Sequence, residues 1–247
     1  MFARIADVYR RTRKPKDLLW NRFVARPLAA VVLVPLQGTR ITPNQVTLGT
    51  LLVFAAAMAV LVVDTSYAAL LLGVGLLEFA YVLDCVDGQL ARLRGTSSPI
   101  GAHLDFLMDE LKAFLLVGAV AVRLWRGDQR VDWLVEGLLA LVAVASAISL
   151  TTFVRRPEYA AATGANVGHG RGDYGDGFVA APAPTGFSPK RLIEAAGSFI
   201  VHYPSYIVFV ALANRLDLFL HIYLLANAAH VGRSLLAITF KLGRRTA

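Results

Sequence analysis

Six stretches of the chain are apolar runs near the length of a bilayer-spanning helix, about 20 mainly apolar residues. They cover residues 46–63, 66–90, 100–124, 133–154, 195–213 and 216–238. Ahead of them, residues 17–37 mix Leu18, Leu19, Phe23, Leu28, Val32 and Leu36 with Arg22 and Arg26, and Pro27 and Pro35 interrupt the run. This pattern predicts a helix lying in the headgroup plane, with a seventh, partial span as the alternative on length. The fold expected is all-α: a six-transmembrane helical bundle (residues 41–247) preceded by an N-terminal unit (residues 1–40) with a juxtamembrane amphipathic helix. No internal repeat stands out.

Composition narrows the class. Hydrophobic residues make up 56% of the 247 and charged residues 17%, which argues against a soluble domain. The net charge of +8 would fit nucleic acid, but its placement does not. Arg4, Arg10, Arg11, Arg13, Lys14, Lys16, Arg22 and Arg26 precede the first span. Arg92 and Arg94 separate spans two and three; Arg155, Arg156, Arg171, Lys190 and Arg191 separate four and five; Lys241, Arg244 and Arg245 close the chain. On the other side only the third-to-fourth connection, with Arg123, Arg126 and Arg130, is basic. The positive-inside rule then places both termini in the cytoplasm, and the bias suits anionic lipid rather than nucleic acid. A basic N-terminus and a late first apolar run predict no cleavable signal peptide. Cys85 is the only cysteine, so no cysteine-based metal site is expected.

The candidate chemistry lies between spans two and three. The order is Asp84, Asp87, Gly88, Ala91 and Arg92, then Gly101, Asp105 and Asp109. Carboxylates in or beside hydrocarbon are costly and mark ion binding or chemistry. On helices, positions 84, 87, 88, 91 and 92 share one face, as do 101, 105 and 109. The turn Gly95–Pro99 would join the two helices as an antiparallel pair, so that Asp84 and Asp87 face Asp105 and Asp109. Crowded carboxylates repel unless cations intervene. Hard oxygen ligands without His or Cys select Mg²⁺ or Mn²⁺, and four carboxylates suffice for two ions. Gly88 and Gly101 open the backbone to a ligand, Ala91 keeps the face clear, and Arg92 offers planar donors suited to phosphate. A buried polar network fixing helix packing is the structural alternative, but four acids with one arginine would leave most of its charge unmatched.

This spacing resembles the signature of the class I CDP-alcohol phosphatidyltransferase family, Asp-x2-Asp-Gly-x2-Ala-Arg-x8-Gly-x3-Asp-x3-Asp, and every fixed position is matched. The resemblance extends to the six spans, the N-terminal juxtamembrane helix and the Pro-Asn-x-x-Thr entry into the first span. It implies that Asp84, Asp87 and Asp105 ligate metal, and that Asp109 is both ligand and general base. It further implies contacts to the CDP moiety from Gly88, Arg92 and Ser98, joined by Thr42, Pro43, Asn44 and Gln45. The expected reaction is attack of an alcohol on the β-phosphorus of CDP-diacylglycerol, with release of CMP. Transfer of a headgroup from a soluble CDP-alcohol (CDP-inositol, CDP-choline or CDP-ethanolamine) is the alternative, and the N-terminal unit has some likeness to enzymes using CDP-inositol. A transporter is a remote reading, since the acids cluster at one end of two helices. Homodimerisation rests on the resemblance alone.

Other signals stay open between two readings. Thr42 with Pro43 is a standard helix start as well as a motif. Arg155 and Arg156 are ordinary flanking charges or ligands of an anionic acceptor such as a polyol phosphate. Arg233 is an acceptor or diphosphate ligand, or snorkels to the interface. His202, His221 and His230 read as hydrogen-bonded interior or interfacial groups, and His103 points off the motif face. Glu78, six residues before Asp84, leaves the metal face for another partner. Lys112 balances the acids or is solvated. The loop 156–194, with His169, Asp173 and Asp176, reads as a lid or a linker.

Overall fold

The computed structural model describes residues 2–12, 17–163 and 202–243, and every regular element among them is helical. The elements are α1 (Phe2–Thr12), a π-helical turn (Asn21–Ala25) running into α2 (Arg26–Leu36), α3 (Pro43–Val63), α4 (Tyr67–Arg94), α5 (Pro99–Asp128), α6 (Asp132–Val154), α7 (Pro157–Thr163), α8 (Tyr203–Leu212) and α9 (Leu216–Gly243). By length and composition α3, α4 and α6 are apolar enough to cross a membrane. Two more are as long, but α5 carries Asp105, Asp109, Glu110 and Lys112, and α9 carries Asp217, His221, Asn227, His230 and Arg233. Of the predicted fifth span, residues 195–201 lie outside the described residues and α8 accounts for the rest. Of the predicted loop, Pro157–Thr163 is helical, and His169, Asp173 and Asp176 lie outside the described residues.

Local chemistry sets the helix ends. Thr42 and Gln45 form a reciprocal capping box, and Pro43 takes the first helical position of α3. Ser66 and Ser98 cap α4 and α5 through their hydroxyls, accepting from Ala69 N and Gly101 N. Gly95 ends α4 at φ +66°, a left-handed conformation that favours glycine. Hydrogen bonds from the backbone N–H and hydroxyl of Ser66 hold the Asp64 carboxyl, between α3 and α4, below its ordinary range.

Packing departs from the expected antiparallel pair. The helix α3 packs against both α4 and α5, and no Cα pair of α4 and α5 comes within 8 Å. The two motif helices diverge from their short turn because α3 is wedged between them. The bundle closes through α5 on α6, α6 on α9, and α8 on both α9 and α4. Its core holds Phe54, Leu61, Leu77, Leu116, Val120 and Ile207 around a Tyr206–Phe219–Tyr223 ring stack with 5.4 Å centroid spacings. The crossings are tight where side chains are small. A Cβ on Gly137 of α6 would lie 2.3 Å from the Ala121 Cβ of α5.

At the end of α5 far from its acids, Arg123 is buried and donates to the carbonyls of Leu61, Asp64, Thr65 and Ser66 at 2.6–3.1 Å. It satisfies backbone oxygens where α3 stops and α4 starts. The N-terminal unit forms a second core with α4, through Val8, Ala29, Leu33, Val86 and Leu90. Arg26 is buried there, ion-paired to Asp17, and Gln89 of α4 donates to the Arg26 carbonyl at 3.2 Å.

The α5–α6 crossing gives a stability test. Gly137→Val should destabilise the protein by about 1–3 kcal/mol, because the clash is with a Cβ that cannot rotate away. Gly73→Ala should cost less, since its new Cβ meets chiefly the Leu61 side chain, which can rotate, with the Ala57 carbonyl oxygen at 3.3 Å. Thermal unfolding of both variants in lipid checks the order.

Candidate active site

The acids come together at the end of the bundle where α4 and α5 meet their turn. Asp84 projects from α4 and Asp105 and Asp109 from α5, and ligand oxygens of all three lie within 4.8 Å of one another. That spacing is close to the span across a divalent ion's oxygen shell, about twice a bond of 2.0–2.6 Å. With only carboxylates offered, the donor set fits a hard cation.

Asp87 is not in this triad. It is buried, and its Oδ2 accepts a 2.5 Å hydrogen bond from Thr47 of α3. Thr47 also reaches the Pro43 carbonyl at 3.1 Å, so the wedge helix grips the motif at its first turn. The expectation of four facing carboxylates thus becomes three clustered and one anchored to α3. Divergence of α4 and α5 is the physical reason.

The gap is bridged by Lys112. Its ammonium lies 2.5 Å from Asp84 Oδ1 and 2.6 Å from Asp109 Oδ1, with the side chain 3% exposed. The sequence left Lys112 between charge balance and solvation, and burial decides for charge balance. The i, i+3 spacing from Asp109 was the available signal. Thr47 is the threonine of the Pro-Asn-x-x-Thr entry, but nothing local in the sequence pointed to Asp87 as its partner.

The expected CDP contacts occupy mixed positions. A Cβ on Gly88 would lie 3.4 Å from Arg92 Nη1, so the glycine gives the guanidinium room along α4. Arg92 donates through Nε to the Thr12 carbonyl at the end of α1, while its buried Nη2 has no partner among the described residues. A Cβ on Gly101 would lie 3.2 Å from Ser98 Oγ and 3.7 Å from Asn44 Oδ1, which brings the first turns of α3 and α5 side by side. Helix N-termini favour anions. Thr42 and Gln45 are tied to each other in the capping box. Pro43 heads α3, and the Ala91 carbonyl accepts from Thr96 N beside the turn.

Of the acceptor candidates, Arg155 stacks its guanidinium over Phe106, 5.4 Å from the ring centroid and one residue from Asp105. Arg156 is exposed at the start of α7, and Arg233 is exposed on α9. His202 joins a polar chain: its Nε2 lies 2.7 Å from Tyr81 Oη, which donates to Asn21 Oδ1, and its Nδ1 lies 2.5 Å from Ser205 Oγ. Glu78 accepts from Trp20 Nε1 at 3.2 Å, the partner off the metal face that its position required.

A bundle with helices apolar enough to cross a membrane and a hard-cation carboxylate cluster on α4 and α5 fits a membrane phosphotransferase. Residues 40–202 match the model of the CDP-alcohol phosphatidyltransferase family, and the chain belongs to that family, whose members are metal-dependent phosphotransferases. It is also 31% identical over 127 residues to a "Bifunctional IPC transferase and DIPP synthase" of Aquifex aeolicus (strain VF5). That match takes in 49% of this chain and 28% of the relative, so the chain spans well under half of the relative's length.

Thr47 offers a test outside the motif. Thr47→Val keeps the side-chain shape and removes the hydrogen bond to Asp87. With Asp87 taken as the fourth ligand that the motif implies, its partner should contribute the roughly tenfold to hundredfold in affinity common for partners of metal ligands. The variant's Mn²⁺ affinity, followed by paramagnetic titration, should fall by that factor.

Proposed function

We propose that this protein is a phosphatidyltransferase that joins a small polar alcohol or polyol phosphate to the phosphatidyl group of CDP-diacylglycerol. The observation that carries the reading is the complete motif, with Asp84, Asp105 and Asp109 gathered into one cluster. Asp84, Asp87, Asp105 and Asp109 would hold Mg²⁺ or Mn²⁺, which when bound would offset charge on the diphosphate and the leaving group.

The chain's own groups account for the rest. Asp109 is the most exposed of the clustered acids, with its side chain 50% accessible, and so is placed to meet an alcohol from outside. It takes the hydroxyl proton as the alcohol oxygen attacks the β-phosphorus in line. CMP leaves and a phosphodiester remains. The free Nη2 of Arg92 and the paired N-termini of α3 and α5, with Asn44, Ser98 and Gly101, receive the CDP phosphates. Arg155, beside Phe106, is the best-placed cation for an anionic acceptor, with Arg156 and Arg233 further candidates.

A soluble CDP-alcohol donor is the second reading. It is favoured by the Aquifex aeolicus relative, whose name specifies no phosphatidyl product. A transporter fits poorly, because the acids lie at one end of α4 and α5 rather than at a midplane break. The membrane arrangement that suits this chemistry is the six-span bundle, with α2 in the headgroup plane and both termini and the site in the cytoplasm. A homodimer is compatible with it.

CMP release from purified protein in lipid, with Mg²⁺, tests the reading. CDP-diacylglycerol is paired with glycerol phosphate, inositol phosphate or serine, and soluble CDP-alcohols with diacylglycerol or inositol phosphate. Acceptor-dependent release from CDP-diacylglycerol is expected. Asp109→Asn should abolish it while leaving measurable donor binding. Near-wild-type turnover in that variant would remove Asp109 as the base, and release only from soluble donors would select the second reading.

A further inference from the structure

The end of the bundle opposite the carboxylates carries a second concave feature. Between the α3–α4 connection and the end of α5 lies a cavity of about 390 Å³, lined by Val63, Asp64, Thr65, Trp125, Arg126 and Gln129. A groove of about 490 Å³ continues from it between α3 and α4, walled by Ala59, Val60, Ala68, Ala69 and Leu72. Val63 and Asp64 line both, so an apolar trough opens into a polar cavity. Each part has the size of a small-molecule cleft, about 300–1,000 Å³. The trough runs along two helices apolar enough to cross a membrane, and the cavity begins where the apolar run of α3 stops. That is headgroup level, where tryptophans such as Trp125 gather.

The cavity holds one fixed charge of each sign. Asp64 accepts from the Ser66 backbone N–H at 2.7 Å and from the Ser66 hydroxyl at 2.9 Å, bonds that favour its ionised form. Buried Arg123 pins the same loop by donating to the Asp64 carbonyl at 2.6 Å. Arg126 follows three residues later on that face of α5, and a 3.4 Å contact from its Nη2 to the Val63 carbonyl makes it a tethered cation. Asp64 and Arg126 nevertheless stay apart: among the described residues neither belongs to an ion pair of 4.0 Å or less. Opposite charges held apart across one cavity match a ligand that carries both. A purely anionic headgroup would meet Asp64 unfavourably. The planar donors of arginine suit a phosphate, and a carboxylate accepts hydrogen bonds from a primary ammonium but none from a quaternary one.

We propose that this end of the bundle binds one phospholipid whose headgroup joins a phosphate to a primary ammonium, the chemistry of phosphatidylethanolamine. Its phosphate meets Arg126, its ammonium meets Asp64, and an acyl chain lies in the trough between α3 and α4. The site is remote from the carboxylates of α4 and α5 and does not depend on the phosphotransferase reading.

The test is native mass spectrometry of the full chain in detergent, titrated separately with phosphatidylethanolamine, phosphatidylcholine and phosphatidylglycerol. The wild-type protein should retain one phosphatidylethanolamine per chain about tenfold more tightly than either other lipid, the weight of one charge-assisted hydrogen bond. Asp64→Asn and Arg126→Gln should each weaken that retention about tenfold, and Asp64→Asn should also remove the preference over phosphatidylglycerol. Leu72→Trp, which fills the trough, should weaken all three lipids. Arg130→Gln, at the same end but outside the cavity, should change nothing. Retention of either other lipid as tightly as phosphatidylethanolamine by the wild type would overturn the inference. So would a preference that survives Asp64→Asn or Arg126→Gln, since the headgroup would then sit elsewhere. If those two variants do not fold, the wild-type ranking and Leu72→Trp still decide.

Discussion

The structure depends on one constraint: several carboxylates must sit together at the end of an apolar bundle without repelling each other apart. Wedging α3 between α4 and α5 meets half of it, because the motif helices are held too far apart for their backbones to touch. Lys112 meets the other half by reaching across and pairing with Asp84 and Asp109. Removing either partner of such a buried pair is far more damaging than never having built it. Geometry and charge are therefore set by the same two devices, one a helix and one a side chain.

The wedge also explains how distant segments report to the site. Thr47 on α3 holds Asp87, and Asn44 on the same helix lies against Gly101 at the head of α5. On the far side of α4, the N-terminal unit holds the other half of the motif. Thr12 offers its carbonyl to Arg92, and the buried Asp17–Arg26 pair anchors the segment between them. Arg94 donates to the carbonyls of Leu36, Thr39 and Ile41, fixing the link from α2 into α3. The guanidinium of Arg92 is thus oriented by a helix end 80 residues away in sequence, and its Nη2 has no partner among the described residues.

Much of this was legible in the sequence, for identifiable reasons. Helix starts at Thr42-Pro43 and Ser98-Pro99 are set by capping chemistry a few residues long, and α4 ends at Gly95 because a left-handed residue is needed there. The acids were legible because charge in apolar sequence is costly enough to require a reason. Helix packing order was not. Whether α4 and α5 pack directly or admit α3 is settled by non-local contacts such as the α3–α4 and α3–α5 interfaces, which leave no local pattern. The same limit applies to the partners of Lys112 and Thr47: neither pairing is visible until the partner helix is placed. For Glu78 the geometry was half available, since its angle on α4 excluded the metal face, but Trp20 as its partner required the N-terminal unit in place.

Charge at the two ends of the bundle supplies the last step. The basic residues of the connection between α5 and α6 looked like an exception to the positive-inside pattern, and the structure gives each a local partner. Arg123 is buried on four carbonyls, Arg126 reaches the Val63 carbonyl, and Arg130 pairs with Asp132. A cation tied to backbone oxygens inside the fold is not a free charge facing the headgroups, and counting it as one weakens the orientation signal. The opposite end keeps exposed cations on α1, at Arg156 and at Lys241, on the same side as the carboxylates. Recounted this way, Arg123 and Arg126 reinforce the α3–α4 connection, and the remaining exposed cations gather at the end that holds the carboxylates. That is also where a soluble nucleotide donor or a leaving CMP would be handled.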